Sequence, residues 1–116
     1  MYLKILKTKL HGLVVTDTNL NYEGSITLPE SILDEAGINE YEAIYVVNLS
    51  NGKRFETYAI KGKEGEVILN GGTARLGIRG DKIIVFSFIY LEPLKAKTFK
   101  PKIFIFDENN RIIKKL

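Results

Sequence analysis

The chain contains no cysteine and only one histidine, His11. Without cysteine there is no disulfide, no thiolate nucleophile and no thiolate zinc site. One histidine does not assemble a zinc centre by itself, and neither an HExxH nor an EF-hand pattern occurs. Long apolar runs are missing too: none approaches the roughly 18 residues of a membrane span. The opening Met1-Tyr2-Leu3-Lys4-Ile5 alternates in charge and polarity and lacks the apolar core of a secretory signal. Basic clusters are scarce. Lys and Arg number 17 against 14 Asp and Glu, a net charge of +3, and the lysines are scattered. That balance favours an anionic ligand without demanding nucleic acid. The tail Lys114-Lys115 is expected to serve solubility rather than binding. These absences lead to the expectation of a soluble cytoplasmic protein with no membrane partner, no nucleic-acid partner and no metal.

What is present is β-forming sequence. The 116 residues, 45% of them hydrophobic, suit one domain (1–116) with a packed core. Strands are expected at Leu3–Thr8 and His11–Thr16, with Gly12 as a bulge. Asp17–Asn21 is polar and turn-like, and Ser25–Leu28 is a short strand. Pro29 opens a helix through Ala36, which Gly37 ends. Ala43–Leu49 and Lys53–Ile60 flank Asn51-Gly52, a hairpin signal. After a turn at Gly62–Gly65, Glu66–Leu69 is another strand, and Thr73–Leu76 forms one helical turn. Lys82–Leu91 and Lys102–Phe106 are strands, with Glu92–Lys97 helical between them and a turn at Asp107–Asn110. Many short strands in a small chain indicate a mainly β fold, closed as a barrel with one or two small helices.

Gly24-Ser25 lies between a polar turn and a strand, where backbone strain can be held. A serine hydroxyl there can attack the preceding carbonyl if the geometry is forced and the oxyanion is stabilised. Taken alone, the dipeptide reads as an ordinary Gly-Ser turn. Three segments give it context: Tyr22-Glu23-Gly24-Ser25-Ile26-Thr27, Asn51-Gly52-Lys53-Arg54-Phe55-Glu56-Thr57-Tyr58, and Leu69-Asn70-Gly71-Gly72-Thr73-Ala74-Arg75-Leu76 followed by Gly80-Asp81. With Lys9, His11 and the tail Pro101-Lys102 and Asp107-Glu108-Asn109, they resemble the pyruvoyl-dependent aspartate 1-decarboxylase family in order and spacing over nearly the whole chain.

That resemblance implies a six-stranded double-psi β-barrel, a homotetramer with sites between subunits, and synthesis as a proenzyme. Ser25 attacks the Gly24 carbonyl, the amide becomes an ester, elimination leaves dehydroalanine, and hydrolysis leaves a pyruvoyl group. Residues 1–24 become the β chain and 25–116 the α chain, 116 − 24 = 92 residues. The implied reaction is conversion of L-aspartate, held as a Schiff base, to β-alanine and CO2 for pantothenate and coenzyme A synthesis. Thr57 assists the rearrangement and lines the substrate site, and Tyr58 donates the proton that replaces CO2. A phenol stays protonated at neutral pH and suits that task, although without the resemblance Tyr58 reads first as a strand aromatic packing beside Phe55. Arg54 offers a planar fork and Lys9 a point charge to the substrate carboxylates. Gly71, Gly72 and Thr73 present backbone groups to substrate. Asn70 fixes the pyruvoyl region and Tyr22 shapes the cleavage loop. His11 either orders the site or is a strand histidine. A maturation factor is a further partner that some members use.

Two departures stand out. The family pattern Asn-Gly-Ala-Ala-Ala is here Asn70-Gly71-Gly72-Thr73-Ala74, and the Lys61–Glu66 loop is shorter than in some members. A rival resemblance also exists. Ile26-Thr27-Leu28-Pro29, Ile32-Leu33, Ala36-Gly37-Ile38 and Ile44–Val47 are similar to the AbrB-type swapped-hairpin DNA-binding domain, but that likeness stops near Leu49. Two more alternatives are a pyruvoyl enzyme for another amino acid and a structural barrel without activity, against which Ser25, Thr57 and Tyr58 together speak.

Overall fold

Residues Leu3–Val14, with burial alternating from Thr8 to His11, build one twelve-residue strand, β1, in the computed structural model, which describes residues 1–116. Two separate strands are expected there from sequence. They are one element because its two irregularities, at Leu6/Thr8 and His11/Leu13, add a residue without ending the pairing with Lys82–Leu91. Gly12 supplies the second bulge at φ +92°, a conformation that L side chains rarely adopt. The chain continues through β2 (Asp17–Asn19), β3 (Ser25–Pro29), α1 (Glu30–Ala36), β4 (Ala43–Asn48), β5 (Arg54–Gly62) and β6 (Ile68–Asn70). A 3-10 turn at Gly71–Arg75, β7 (Lys82–Leu91), α2 (Pro93–Ala96), β8 (Lys102–Phe106) and β9 (Ile112–Lys115) complete it. α1 starts after Pro29 and ends on left-handed Gly37, whose N–H bonds Asp34 O, and it buries Ile32, Leu33 and Ala36.

The fold is mainly β, with nine strands in the order β2-β6-β3-β5-β4-β7-β1-β8-β9. Six strands have five or more residues, while β2, β6 and β9 have three or four. β2 occupies part of the expected turn, and β9 covers a C-terminal stretch for which no element is expected from sequence. Three pairs are parallel: β1–β8, β2–β6 and β3–β5.

The connectivity forces the sheet to roll. β1 and β2 are six strands apart in the order, about 29 Å in a flat sheet. Only Val15 and Thr16 join them, a link that reaches at most about 11 Å. Val15 N–H bonds Asp81 O at 2.8 Å and Thr16 N–H bonds Val67 O at 2.7 Å, which fastens this closure. The rolled sheet and α1 enclose one core that includes Leu10, Leu13, Ile26, Leu28, Leu33, Val46, Leu69 and Val85.

Candidate active site

Ser25 opens β3 and is fully buried. β3 runs antiparallel to β6, and the register sets Ser25 directly opposite Asn70. The Asn70 amide uses its two N–H groups there. Nδ2 donates to Ser25 Oγ at 3.0 Å and to Thr27 Oγ1 at 2.9 Å. Ser25 Oγ in turn donates to Glu23 O at 3.3 Å. The hydroxyl is therefore held at the strand's entrance, beside the Gly24 peptide. Thr27 was not singled out from sequence. Its signal is positional: two residues along a strand from Ser25, it faces the same side.

The 3-10 turn after β6 packs against this entrance. An ideal Cβ on Gly71 would stand 2.6 Å from Gly24 N, 2.7 Å from Gly24 Cα and 2.7 Å from Tyr22 O, and Gly71 has φ +60°. Gly71 thus presses on the backbone of the loop that carries Tyr22 and Gly24. Gly72 is open, with nothing near an added Cβ. Thr73, buried, places Oγ1 2.8 Å from Asn70 O and 3.1 Å from Ser25 O. Tyr22 is exposed and lines a polar cleft of about 400 Å³ with Thr27, Asn70, Asp17 and Lys61.

β5 lies on the other side of β3. The parallel pair Ile26↔Ala59 makes Ser25 level with Tyr58 and Gly24 level with Thr57, one and two residues earlier on both strands. No hydrogen bond joins Thr57 to Gly24. Tyr58 is half-buried, its ring centroid 6.3 Å from that of Tyr41, and both line a groove of about 500 Å³ with Ala43, Glu56 and Thr57.

The remaining candidates lie on the sheet's outer face. One row across four strand pairs reads Arg54, Val47, Ile84, His11, Ile105, and the next reads Glu56, Tyr45, Phe86, Lys9, Ile103. Lys9 Nζ lies 5.9 Å from the Phe86 ring centroid. Arg54 is exposed, and Lys9 and His11 are half-buried. β5 and β1 are three inter-strand steps apart, so Arg54 and His11 stand roughly 14 Å from each other. One chain therefore unites Ser25, Asn70, Gly71 and Thr73, and does not bring Arg54 and Lys9 to a common point.

A small rolled β-sheet with a buried serine at a strand entrance, pressed by a glycine of a neighbouring 3-10 turn, defines a mainly β protein with a candidate site at Ser25. The aspartate decarboxylase family model matches residues 1–113. Aspartate 1-decarboxylase of Caldicellulosiruptor saccharolyticus is 48% identical over 116 residues, covering 98% of this chain and 91% of that protein. The Campylobacter jejuni subsp. doylei enzyme of the same name is 50% identical over 115 residues, with coverage of 98% and 91%. That of Shouchella clausii is 47% identical over 118 residues, with coverage of 100% and 93%. The chain belongs to the aspartate decarboxylase family. The match runs far past Leu49, where the DNA-binding likeness ends.

Proposed function

We propose that this chain is a cytoplasmic proenzyme that cuts itself between Gly24 and Ser25 into residues 1–24 and 25–116, and then decarboxylates L-aspartate to β-alanine. The observation that carries it is the set of contacts around Ser25. The hydroxyl is buried, oriented by Asn70 and Glu23 O, and adjacent to a peptide that Gly71 presses from the other side. A pyruvoyl group made from Ser25 would lie at the buried entrance of β3, where the Asn70 amide, freed when Oγ departs with Gly24, would remain beside it as a donor. That group supplies a sink for the electrons left when CO2 departs.

The chain's own groups do the rest. Arg54 binds one substrate carboxylate through its fork, and Lys9 attracts the other. Tyr58, level with Ser25 and half-buried, holds the proton delivered to the carbon that lost CO2. Thr57 assists the amide-to-ester shift, a role its position level with Gly24 supports, and the backbone of Gly71–Thr73 walls the substrate. The separation of Arg54 from Lys9 supports a site completed by a second copy, as a homotetramer would provide. Tyr45, Val47, Phe86 and Phe88 give the outer face a half-buried apolar surface for that contact. A maturation factor would act on the same loop, which the exposed Tyr22 marks.

The test is intact-protein mass spectrometry under denaturing conditions. The wild type should give two chains split at Gly24-Ser25, the larger becoming linked to aspartate on borohydride treatment. Ser25→Ala should give one uncut chain and no β-alanine. Two fragments from Ser25→Ala would remove Ser25 as the nucleophile.

A further inference from the structure

Thr73 stands where the family pattern has alanine, and its hydroxyl faces inward. It has one proton and two carbonyl oxygens in reach, Asn70 O at 2.8 Å and Ser25 O at 3.1 Å. Bonding to Asn70 O is the ordinary local pattern of a threonine in a helical turn, three residues back. Ser25 O is different, because it is the carbonyl attached to the carbon that must lose a proton if the serine is to be eliminated. We propose that the Thr73 hydroxyl stabilises the charge on Ser25 O during the elimination step of self-processing, an assignment that rests on the self-cleavage proposed above.

The step balances as follows. After the acyl shift, Gly24 is esterified to Ser25 Oγ. A water molecule takes the Ser25 Cα proton, and the Cα–H electrons form Cα=Cβ. The Cβ–Oγ bond breaks, and Gly24 leaves as a carboxylate. As the proton departs, negative charge accumulates on Ser25 O. A hydroxyl that rotates from Asn70 O to Ser25 O exchanges a neutral hydrogen bond for a charge-assisted one, roughly twice as strong. The gain exists only while the charge does, so the hydroxyl lowers the barrier without stabilising the starting ester. Thr73 is buried, so bulk solvent screens the interaction little. Its distance to Asn70 O keeps it in place before the charge appears.

Three variants of the full chain test this. Thr73→Val keeps the shape and removes the hydroxyl. Thr73→Ser keeps the hydroxyl. Thr73→Ala leaves room in which a water can substitute as donor. Processing is followed by intact mass, with and without brief neutral hydroxylamine, which cuts an ester at Gly24-Ser25; release of residues 1–24 distinguishes that cut from slower scission at Asn51-Gly52 and Asn70-Gly71. Thermal melting of the hydroxylamine-free samples checks folding. The expected result is that Thr73→Val accumulates hydroxylamine-sensitive, full-length chain, its elimination slowed on the order of 100-fold, as for loss of an oxyanion donor. Thr73→Ser should process like the wild type, and Thr73→Ala should fall between. Thr73→Val maturing at the wild-type rate would overturn the proposal, as would a folded Thr73→Val that stays hydroxylamine-resistant. Wild-type chain that never yields an ester or a cut would sink self-cleavage itself, and this step with it.

Discussion

Gly71 and Gly72 are adjacent residues with opposite requirements. At Gly71 a methyl group would meet the backbone of Gly24 and Tyr22 below 3 Å, and the positive φ adds strain of about 1 kcal/mol or more. Because the close atoms are backbone, relief requires moving the loop that carries the peptide proposed to be cut. Gly71→Ala should therefore retain a folded barrel but process at least about tenfold more slowly, since small misplacements of reacting groups cost one to two orders of magnitude. A mass time course checks it, and normal processing would show that the loop tolerates displacement. At Gly72 there is space and no positive φ. Gly72→Ala, which restores the family pattern, should stabilise the protein by about 0.4–1 kcal/mol through the unfolded chain, visible as a higher melting temperature with unchanged processing. Gly24, Ser25 and Asn70 could be placed near one another from motif strings. The contact between Gly71 and the loop could not, because it depends on how the 3-10 turn docks on residues far away in sequence.

At the scale of elements, strands with strong local patterns were legible and those held by pairing were not. Ile44–Val47 and Ile83–Val85 carry enough β-formers to be seen alone, and Pro29 and Gly37 bracket α1 as expected. Asp17-Thr18-Asn19 is turn-forming by composition, yet it becomes β2 because it pairs with β6. A second element-scale feature is the junction of β1, α1, β4 and β7 at Glu42. Lys7, in the first bulge of β1, donates to Glu42 at 2.7 Å and to Gly37 O at 3.0 Å, and Ser87 donates to Glu42 at 2.5 Å. Partial burial pushes the Glu42 carboxyl up. Hydrogen bonds from Lys7, Ser87 and the Asn39 N–H outweigh it and hold the carboxyl below its ordinary value. A carboxylate with a lowered folded pKa contributes stability that is complete above the unfolded value of about 4.3 and is lost as pH falls through the folded one. Glu42→Gln should cost about 1–2 kcal/mol at pH 7. In melting curves the gap from wild type should shrink toward pH 3. A gap independent of pH would assign the loss to packing instead.

At the scale of the molecule, the rolled architecture was expected and its wiring was not. Nothing in periodicity says that β1 pairs in parallel with β8, or that nine strands take the order observed. One distant side chain helps close the roll. Asn110, buried at φ +60°, accepts from Val14 N at 2.7 Å and donates to Val14 O at 3.0 Å and Gly65 O at 3.1 Å. Asn110→Ala loses these bonds and keeps an unfavourable φ, for an expected cost of about 2–4 kcal/mol. Asn110→Gly removes the φ penalty and should cost less. Equal melting temperatures for the two variants would mean that the backbone strain is negligible.

The larger consequence is a division of labour between chain and assembly. Ser25, Asn70, Gly71 and Thr73 meet within one chain, so self-cleavage needs no neighbour to bring them together. Arg54 and Lys9 stand on strands three inter-strand steps apart on the outer face, roughly 14 Å between backbones, so in the proposed assembly a second copy would complete the cation pair around one aspartate. Phe86, beside Lys9 and stacked 6.3 Å from Phe88, sits in the middle of that face. Phe86→Glu places a charge where a partner would bury an aromatic ring. Sedimentation should then show monomers in place of tetramers, processing should continue within about tenfold of wild type, and decarboxylation should fall by about 100-fold or more. If processing were lost together with assembly, the Ser25 geometry seen in a single chain would be insufficient, and the partner copy would have to contribute to bond cleavage itself. If turnover survived in the monomer, Arg54 and Lys9 would not act on the same substrate molecule.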